Sequence, residues 1–472
     1  MGLLLGSDID GFIAPVSFSG RGLGSTGGLM GPAGSALAHD KMWFVLDDTR
    51  TGVARDPLSG SIQRLEGMRA EDVANVQMRN FALAITQDLG MIWSDPRAEG
   101  WLHAEEQWEL FGHFDKLYRE YGGDQTIGQM ASSSPPPVLE ELEEVQQDAP
   151  ADVPEDPDDQ GSDEEISNEG ELEEGELPLA PSTFGVPGDP MGLGLVIVVD
   201  EESRFYTHPQ PTMDRLLLSQ ARDALLRVGV QSRICLLQDM LDGYAPEAPV
   251  YAFLNLVHLD AESRDRLHER LAAEGAAAIW HYAPGILEER ASSNNVSATV
   301  GMEVERFDGP HPAGSVFTLG GAWLGQNETF GERDPWDPLL YIVDEAADTL
   351  AIYQEGNKPS AAMRTLEAGW TSVYIAEPTL TAAFLREVFR ILEQPLLFRP
   401  GRRPYFDTTY AGKSLIGIHS RKVGERTIDL GNFYDVGDLF DPNLGWLNRD
   451  GFVVPLKQGE TRLLSLTTPS KP

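Results

Sequence analysis

The sequence predicts an α/β protein, with apolar strands and amphipathic helices alternating over most of its 472 residues. Three observations carry this. From residue 191 to about 400, strand-like runs and helices recur with a period of roughly 25–30 residues, as in a flavodoxin-like or Rossmann-like open parallel sheet. Residues 1 to about 122 alternate in the same way. Residues 401–472 instead hold short strands and turns, which read as a small antiparallel β-domain.

The first unit opens on a strand-like apolar run, MGLLLGSDIDGF, and a Gly-rich loop, SGRGLGSTGGLMGPAG. The loop lacks the Lys-Ser/Thr ending of a phosphate-binding loop. In KMWFVLDDTRT, residues Met42 to Val45 read as a buried strand that runs into Asp47, Asp48, Thr49 and Arg50. In RAEDVANVQMRNFALAITQDLG, Val73, Val76, Phe81 and Ile85 fall near helical spacing, with Gly90 as the stop. MIWSDP is a short strand. EEQWELFGHFDKLYREYGG is a helix expected to turn Trp108, Phe111, Leu117 and Tyr118 inward.

Residues 123–190 carry about eighteen carboxylates between SSSPPP and LAP, with no Lys or Arg. Too few apolar residues are present to offset the ordering entropy, so a disordered acidic linker is expected. Beyond it, GLGLVIVVDEES is a buried parallel-type strand and MDRLLLSQARDALLRVGV an amphipathic helix ending at Gly229. SRICLL and YAFLNLVHL are strands. DAESRDRLHERLAAEG is a helix with Asp260 as N-cap and Gly275 at its C-terminus. AAAIWHYAPG is a strand, a β-rich excursion follows (LLYIVD, LAIYQ, AAMRTL, TSVYIA), and LTAAFLREVFRILE is the last helix. SLIGIHS, RTIDLG, FVVPLKQ and TRLLSLT supply the terminal strands.

Composition excludes several functions. Lys and Arg number 36 against 75 Asp and Glu, a net charge of −39, which repels phosphate backbones and anionic membranes. No apolar run reaches membrane-spanning length, and the N-terminus lacks the basic start and long apolar core of a signal peptide. Two sequons, at Asn295 and Asn327, leave secretion open. The single cysteine, Cys235, fits a reducing compartment and reads as a buried small hydrophobe; the compartment stays open, leaning to the cytoplasm. GLGL precedes its strand, so dinucleotide binding is not indicated. Cys235 has no elbow glycine, so the second α/β unit reads as catalytically empty. The histidines show no ligand spacing, and neither metal nor cofactor is implied.

The better chemical signal lies in the first unit. Three polar clusters follow strand-like runs: Asp8 and Asp10 with Arg21; Asp47, Asp48 and Arg50; and Trp93 with Asp95. In a β/α barrel the active-site residues sit on the loops after strands. Trp43, Trp93 and Trp101 could supply platforms for a sugar ring, and a glycosidase needs two carboxylates across one bond. Asp-rich strand ends also cap helices, which is the competing reading.

The layout resembles glycoside hydrolases related to the family 42 β-galactosidases. LAHDKMWFVLDDTRT is similar to the segment around their barrel strand seven, and AEDVANVQMRNFALAITQDLGMIWSDP followed by GW to the helix and strand eight that close the barrel. VIVVDEESRFY, AFLNLVHLDAESRDRL, AIWHYAPGI and NVSATVGMEV resemble their flavodoxin-like trimerisation domain; IGIHSRKVGERTIDL and QGETRLLSL resemble their C-terminal β-domain. The resemblance implies a partial TIM barrel (its last strands) over 1–122, the acidic linker over 123–190, a trimerisation domain over 191–400 and a β-domain over 401–472. It implies carbohydrate as substrate, a retaining reaction and a homo-oligomer, a trimer in the relatives. Asp47 or Asp48 would be the nucleophile, Trp93 and Asp95 subsite residues, Arg21 and Arg50 positioning groups, with Trp43 and Trp101 against the sugar. Two departures stand out. The chain begins near barrel strand six, without the strand that carries the relatives' acid/base Glu, and strand seven ends in Asp47-Asp48 where the relatives have a Glu. A non-catalytic oligomerising or carbohydrate-binding remnant is the alternative.

Overall fold

The computed structural model describes residues 5–55, 61–64, 69–122, 192–207, 211–325, 327–401 and 404–469. The acidic stretch 123–190 lies outside the described residues. In the first sheet, strands β1 (Gly11–Pro15), β2 (Met42–Asp47) and β3 (Gly90–Trp93) are parallel, with β2 central. Parallel neighbours need a crossover. Helix α1 (Ala33–Ala38) lies in the connection from β1 to β2, and α2 (Ala70–Thr86) in that from β2 to β3.

Alternation along β2 buries Trp43, Val45 and Asp47 and leaves Met42, Phe44 and Leu46 half-buried. The buried face packs with α2 and α3 (Glu105–Tyr121): Trp93 stacks on Phe111 at 4.1 Å and Phe81 on Phe114 at 4.2 Å between ring centroids. The opposite face carries Ile13 beside Phe44 and Leu46 beside Ile92. None of these four joins an apolar cluster, and Ile13 is 60% exposed. Parallel sheets are normally covered on both faces, so one face of this sheet has no packing layer among the described residues.

The second sheet contains β4 (Leu193–Val199), β5 (Gln231–Leu236), β6 (Val250–Phe253), β7 (Ala277–His281), β8 (Ser315–Phe317), β9 (Thr329–Phe330), β10 (Asp348–Tyr353), β11 (Pro359–Thr365) and β12 (Thr371–Ile375). Their order is β9-β8-β10-β11-β12-β7-β6-β4-β5. The strands from β12 to β5 are parallel and follow the flavodoxin-like order 2-1-3-4-5. The rest are antiparallel and form the β-rich excursion. Helix α4 (Ala261–Glu274) starts where Asp260 accepts from Ser263 N–H at 2.8 Å. It ends at Gly275, whose φ of 61° suits glycine. Cys235 is fully buried, and burial pushes its thiol up to about 12. Asn295 spends its side-chain amide on Ile286 and Arg290 carbonyls, which ties up one sequon.

The third sheet is antiparallel: β13 (Thr408–Gly412), β14 (Leu415–His419), β15 (Gly424–Asp438), β16 (Gly445–Leu456) and β17 (Thr461–Thr467), in the order β13-β14-β17-β15-β16. It packs against α2. A Cβ on Gly417 would stand 2.8 Å from the Ala82 Cβ, so only glycine admits the helix this close. Gly417→Ala is expected to cost about 1–3 kcal/mol by overpacking, read as a lowered urea midpoint.

Three local expectations need correction. The first strand is 11–15, not the opening apolar run, so Asp8 and Asp10 precede it and lie at the opposite end from Arg21. Trp108 is 58% exposed. The buried stripe of α3 runs through Gln107, Phe111, Phe114 and Leu117, and Trp108 is one step, about 100°, off it. The helix expected over 213–230 contains a π-helical stretch, Arg215–Gln220, between α-helical turns, which shifts its inward face by a residue.

Candidate functional site

The carboxyl ends of β1, β2 and β3 bring their following loops to one rim. After β1, Arg21 donates from Nη2 to the Val16 carbonyl at 3.0 Å and lies over the Phe18 ring at 4.1 Å. The same nitrogen is 2.5 Å from Asp48 Oδ1, an ion pair without hydrogen-bond alignment. Both partners keep about a fifth of their side chains exposed, 20% and 18%. Asp48 is therefore a carboxylate on the rim, held by a cation and within reach of solvent.

Asp47 differs. It is 2% exposed and faces α2. Its Oδ2 accepts from Asn80 Nδ2 at 2.9 Å and its Oδ1 from Thr49 N–H at 3.0 Å. Burial raises its pKa, and the Asn80 and Thr49 hydrogen bonds work against the rise. Asn80 is held in turn by Arg79, whose buried guanidinium also donates to the carbonyls of Arg21, Gly22 and Ser25. Asp47 thus anchors the loop after β2 to the helix.

A second cluster forms after β3. Asp95 accepts from the N–H groups of Glu99, Gly100 and Trp101 at 2.9, 2.6 and 2.9 Å, closing the turn that presents Trp101. The Trp101 indole donates to Glu99 Oε2 at 3.0 Å. Arg50 lies 5.5 Å from the Trp101 ring and 3.9 Å from Glu99. Trp43 is 3% exposed, and Trp93 stacks under α3, so both rings lie on the helix side of the sheet. The rim thus gathers Arg21, Asp48, Arg50 and Trp101. Glu99 and Asn80 escaped the sequence reading. Glu99 sits six residues past a strand end, and Asn80 looks like an ordinary helix residue until the fold puts it under Asp47.

The flavodoxin-like sheet has its own recess, about 140 Å3, at the switch point between β4 and β6, lined among others by Asp200, Glu202, His258 and Asp260. Its polar groups serve the loops. Asp200 Oδ2 accepts from Ser203 N–H at 2.8 Å, and Ser203 Oγ accepts from Val257 and His258 N–H at 2.9 Å each. No group of three or more His, Cys, Asp or Glu placed to hold a metal ion occurs among the described residues. No described helix is long and apolar enough to cross a membrane.

A three-stranded parallel sheet with polar loops at one rim, joined to a flavodoxin-like sheet and an antiparallel β-domain, defines a glycoside-hydrolase-related fold. More narrowly, it is related to the fold of GH42 β-galactosidases. A catalytic mutant of Gan42B, a GH42 β-galactosidase from G. stearothermophilus, superposes with a TM-score of 0.50 at 10% identity, over 92% of this chain and 55% of that one. The β-galactosidase from Bacillus circulans sp. alkalophilus gives 0.43 at 16% identity, over 59% and 42%. That of the Antarctic haloarchaeon Halorubrum lacusprofundi gives 0.41 at 14%, over 58% and 40%. The chain thus spans about half the length of these proteins or less. No family model matches it, and no curated protein does.

Proposed function

We propose that this chain is the C-terminal part of a retaining, β-galactosidase-like glycoside hydrolase, with β1 to β3 as the last strands of its barrel. The carrying observation is the rim. Three parallel strands, covered by helices on one face only, direct Arg21, Asp48, Arg50 and Trp101 to their carboxyl ends, where barrel enzymes hold their sites. Asp48 is the nucleophile of this reading, because Asp47 is spent on Asn80 and Thr49. Arg21 fixes the Asp48 carboxylate, and Trp101 with Arg50 borders the sugar. Asp95 acts by shaping the Trp101 turn. The acid/base carboxyl, which a retaining enzyme needs about 5–5.5 Å from the nucleophile, belongs to strands outside this chain.

The alternative is a non-catalytic oligomerising or carbohydrate-binding protein. It is favoured by the same accounting of carboxylates, since Asp47 and Asp95 are both committed to the fold. The test compares this chain with a product extended through its upstream reading frame, using an aryl β-galactoside. The extended product is expected to turn over with retention, and Asp48→Asn to lower kcat about 100-fold or more. An extended product without turnover, or activity indifferent to Asp48→Asn, sinks the proposal.

A further inference from the structure

We infer that the cavity where loop 23–25, the N-terminus of helix α5 (Ala382–Ile391) and the turn 420–422 meet binds a phosphate or sulfate monoester of sugar size. The inference is independent of the glycosidase reading. The cavity encloses about 690 Å3, within the range of small-molecule sites. Three cations line it, Arg227, Arg421 and Lys422, against one carboxylate, Asp223. In a chain with twice as many acidic as basic residues, this is a local inversion of charge. Asp223 is already paired with Arg222 at 2.9 Å.

The cations divide into a fixed one and two uncommitted ones. Arg227 donates to the Phe406 and Gly24 carbonyls at 2.6 and 2.9 Å. Burial lowers its pKa, and the charge of Arg421 lowers it further. Arg227 and Arg421 thus place like charges on one cavity, which an oxyanion would neutralise. The turn that carries Arg421 and Lys422 is held by its backbone: Arg421 N–H donates to Asp407 Oδ1 at 2.8 Å, and the Lys422 carbonyl accepts from Arg426. Their side-chain heads have no hydrogen bond or ion pair among the described residues. The turn is held through its backbone while its two charged heads are exposed and unpaired, so they can close on an anion at a cost in side-chain entropy.

Helix α5 adds a second source of positive potential. Thr381 caps Phe384 N–H at 3.3 Å and its carbonyl takes Leu385 N–H at 3.0 Å. Ala382 and Ala383 line the cavity, and their N–H groups lie in the first turn, where the helix offers no acceptor. Such ends attract oxyanions. Leu23 and Phe406 form an apolar wall, and Gln220 and Gln458 place neutral amides beside it. An inorganic ion would leave that part of the cavity unused. An ester places its oxyanion among the cations and its hydroxylated body between the apolar wall and the amides.

The test titrates the full chain by calorimetry at constant ionic strength with a hexose phosphate, a hexose sulfate, free hexose, inorganic phosphate and inorganic sulfate. Saturable binding of at least one ester, tighter than its inorganic ion and absent for free hexose, is expected. A preference between the two esters identifies the source of the oxyanion. The double variant R421A/K422A should weaken ester binding about tenfold or more. Gln458→Ala should weaken the ester and spare the inorganic ion. All three positions are exposed, and an unchanged melting temperature confirms that the variants fold. Heat matched by sodium chloride, ester binding indifferent to the double variant, or inorganic ions binding as tightly as their esters would overturn the inference.

Discussion

Asp407→Ala is expected to destabilise the protein by about 3–5 kcal/mol, because it leaves a buried guanidinium without its counter-charge. Asp407 and Arg426 have 0% and 1% side-chain exposure. Arg426 grips the carboxylate with two nitrogens, Nε to Oδ2 at 2.5 Å and Nη2 to Oδ1 at 3.0 Å. It also donates to the Gly424 carbonyl at 2.6 Å and to Ser420 Oγ at 2.8 Å, with the Tyr405 ring 3.9 Å away. The remaining acceptors are neutral and cannot replace the charge. The pair itself need not be a large net contributor, since the desolvation of both ions offsets much of their attraction. The double variant Asp407→Leu/Arg426→Met should therefore regain most of the loss. The first urea transition reads both. A single variant as stable as the wild type would show that the guanidinium escapes to water. A double variant as unstable as the single one would show that the pair's hydrogen bonds, and not its charge, hold the turn.

This pair shows what the sequence makes legible and what it hides. The parallel core of the second sheet was readable because its strands are near-continuous apolar runs spaced by amphipathic helices; Val196, Ile197 and Val198 are all buried. The cap at Asp260 was readable because capping is local chemistry. The placement of Trp93 was not. Strand alternation fixes that Trp93 and Asp47 share a face, but only the docking of α3 decides that this is the helix side. The same holds for the two carboxylates after Val45. Adjacent strand residues point to opposite faces, so Asp47 and Asp48 could not both enter one cleft, yet which of them is buried depends on Asn80, 33 residues away. Long-range polar partners of this kind leave no periodicity in the chain.

Below about pH 6.5 two buried histidines, His419 and His281, are expected to withdraw stability from the protein. His419 is fully buried. Its Nε2 accepts the Gly24 N–H at 2.8 Å, which requires that nitrogen to carry no proton. Its Nδ1 then carries the hydrogen and donates to Thr461 Oγ1 at 2.8 Å, while that hydroxyl donates to the Asn75 carbonyl at 2.6 Å. One neutral imidazole thus ties the loop after β1, helix α2 and strand β17 together. Burial, aided by the charges of Arg79 and Arg227, holds its pKa well below the ordinary value. Burial lowers that of His281 to about 4.

Both groups are depressed in the folded state, so the unfolded chain binds protons that the folded chain refuses. Their stabilisation is complete above about pH 6.5 and is lost as pH falls toward the folded values, at about 1.4 kcal/mol per unit for each histidine. Glu377 acts in the opposite sense. Burial raises it to about 8, against the N–H groups of Glu332 and Thr379 that it accepts. Its contribution is present at low pH and is lost as pH rises through about 8. Between about pH 4.5 and 6.5 the buried histidines favour higher pH, His268 among them because burial lowers it too, while Glu377, Asp47 and Asp438, all raised by burial, favour lower pH. In His419→Gln the side-chain oxygen can still accept the Gly24 N–H, and nothing titrates. Its stability at pH 7 should fall by about 1–3 kcal/mol. Measured as urea midpoints between pH 5 and 7, its stability should gain less with rising pH than that of the wild type, by up to the equivalent of one proton. An unchanged slope would mean that acid opens the protein elsewhere, before His419 ever meets a proton.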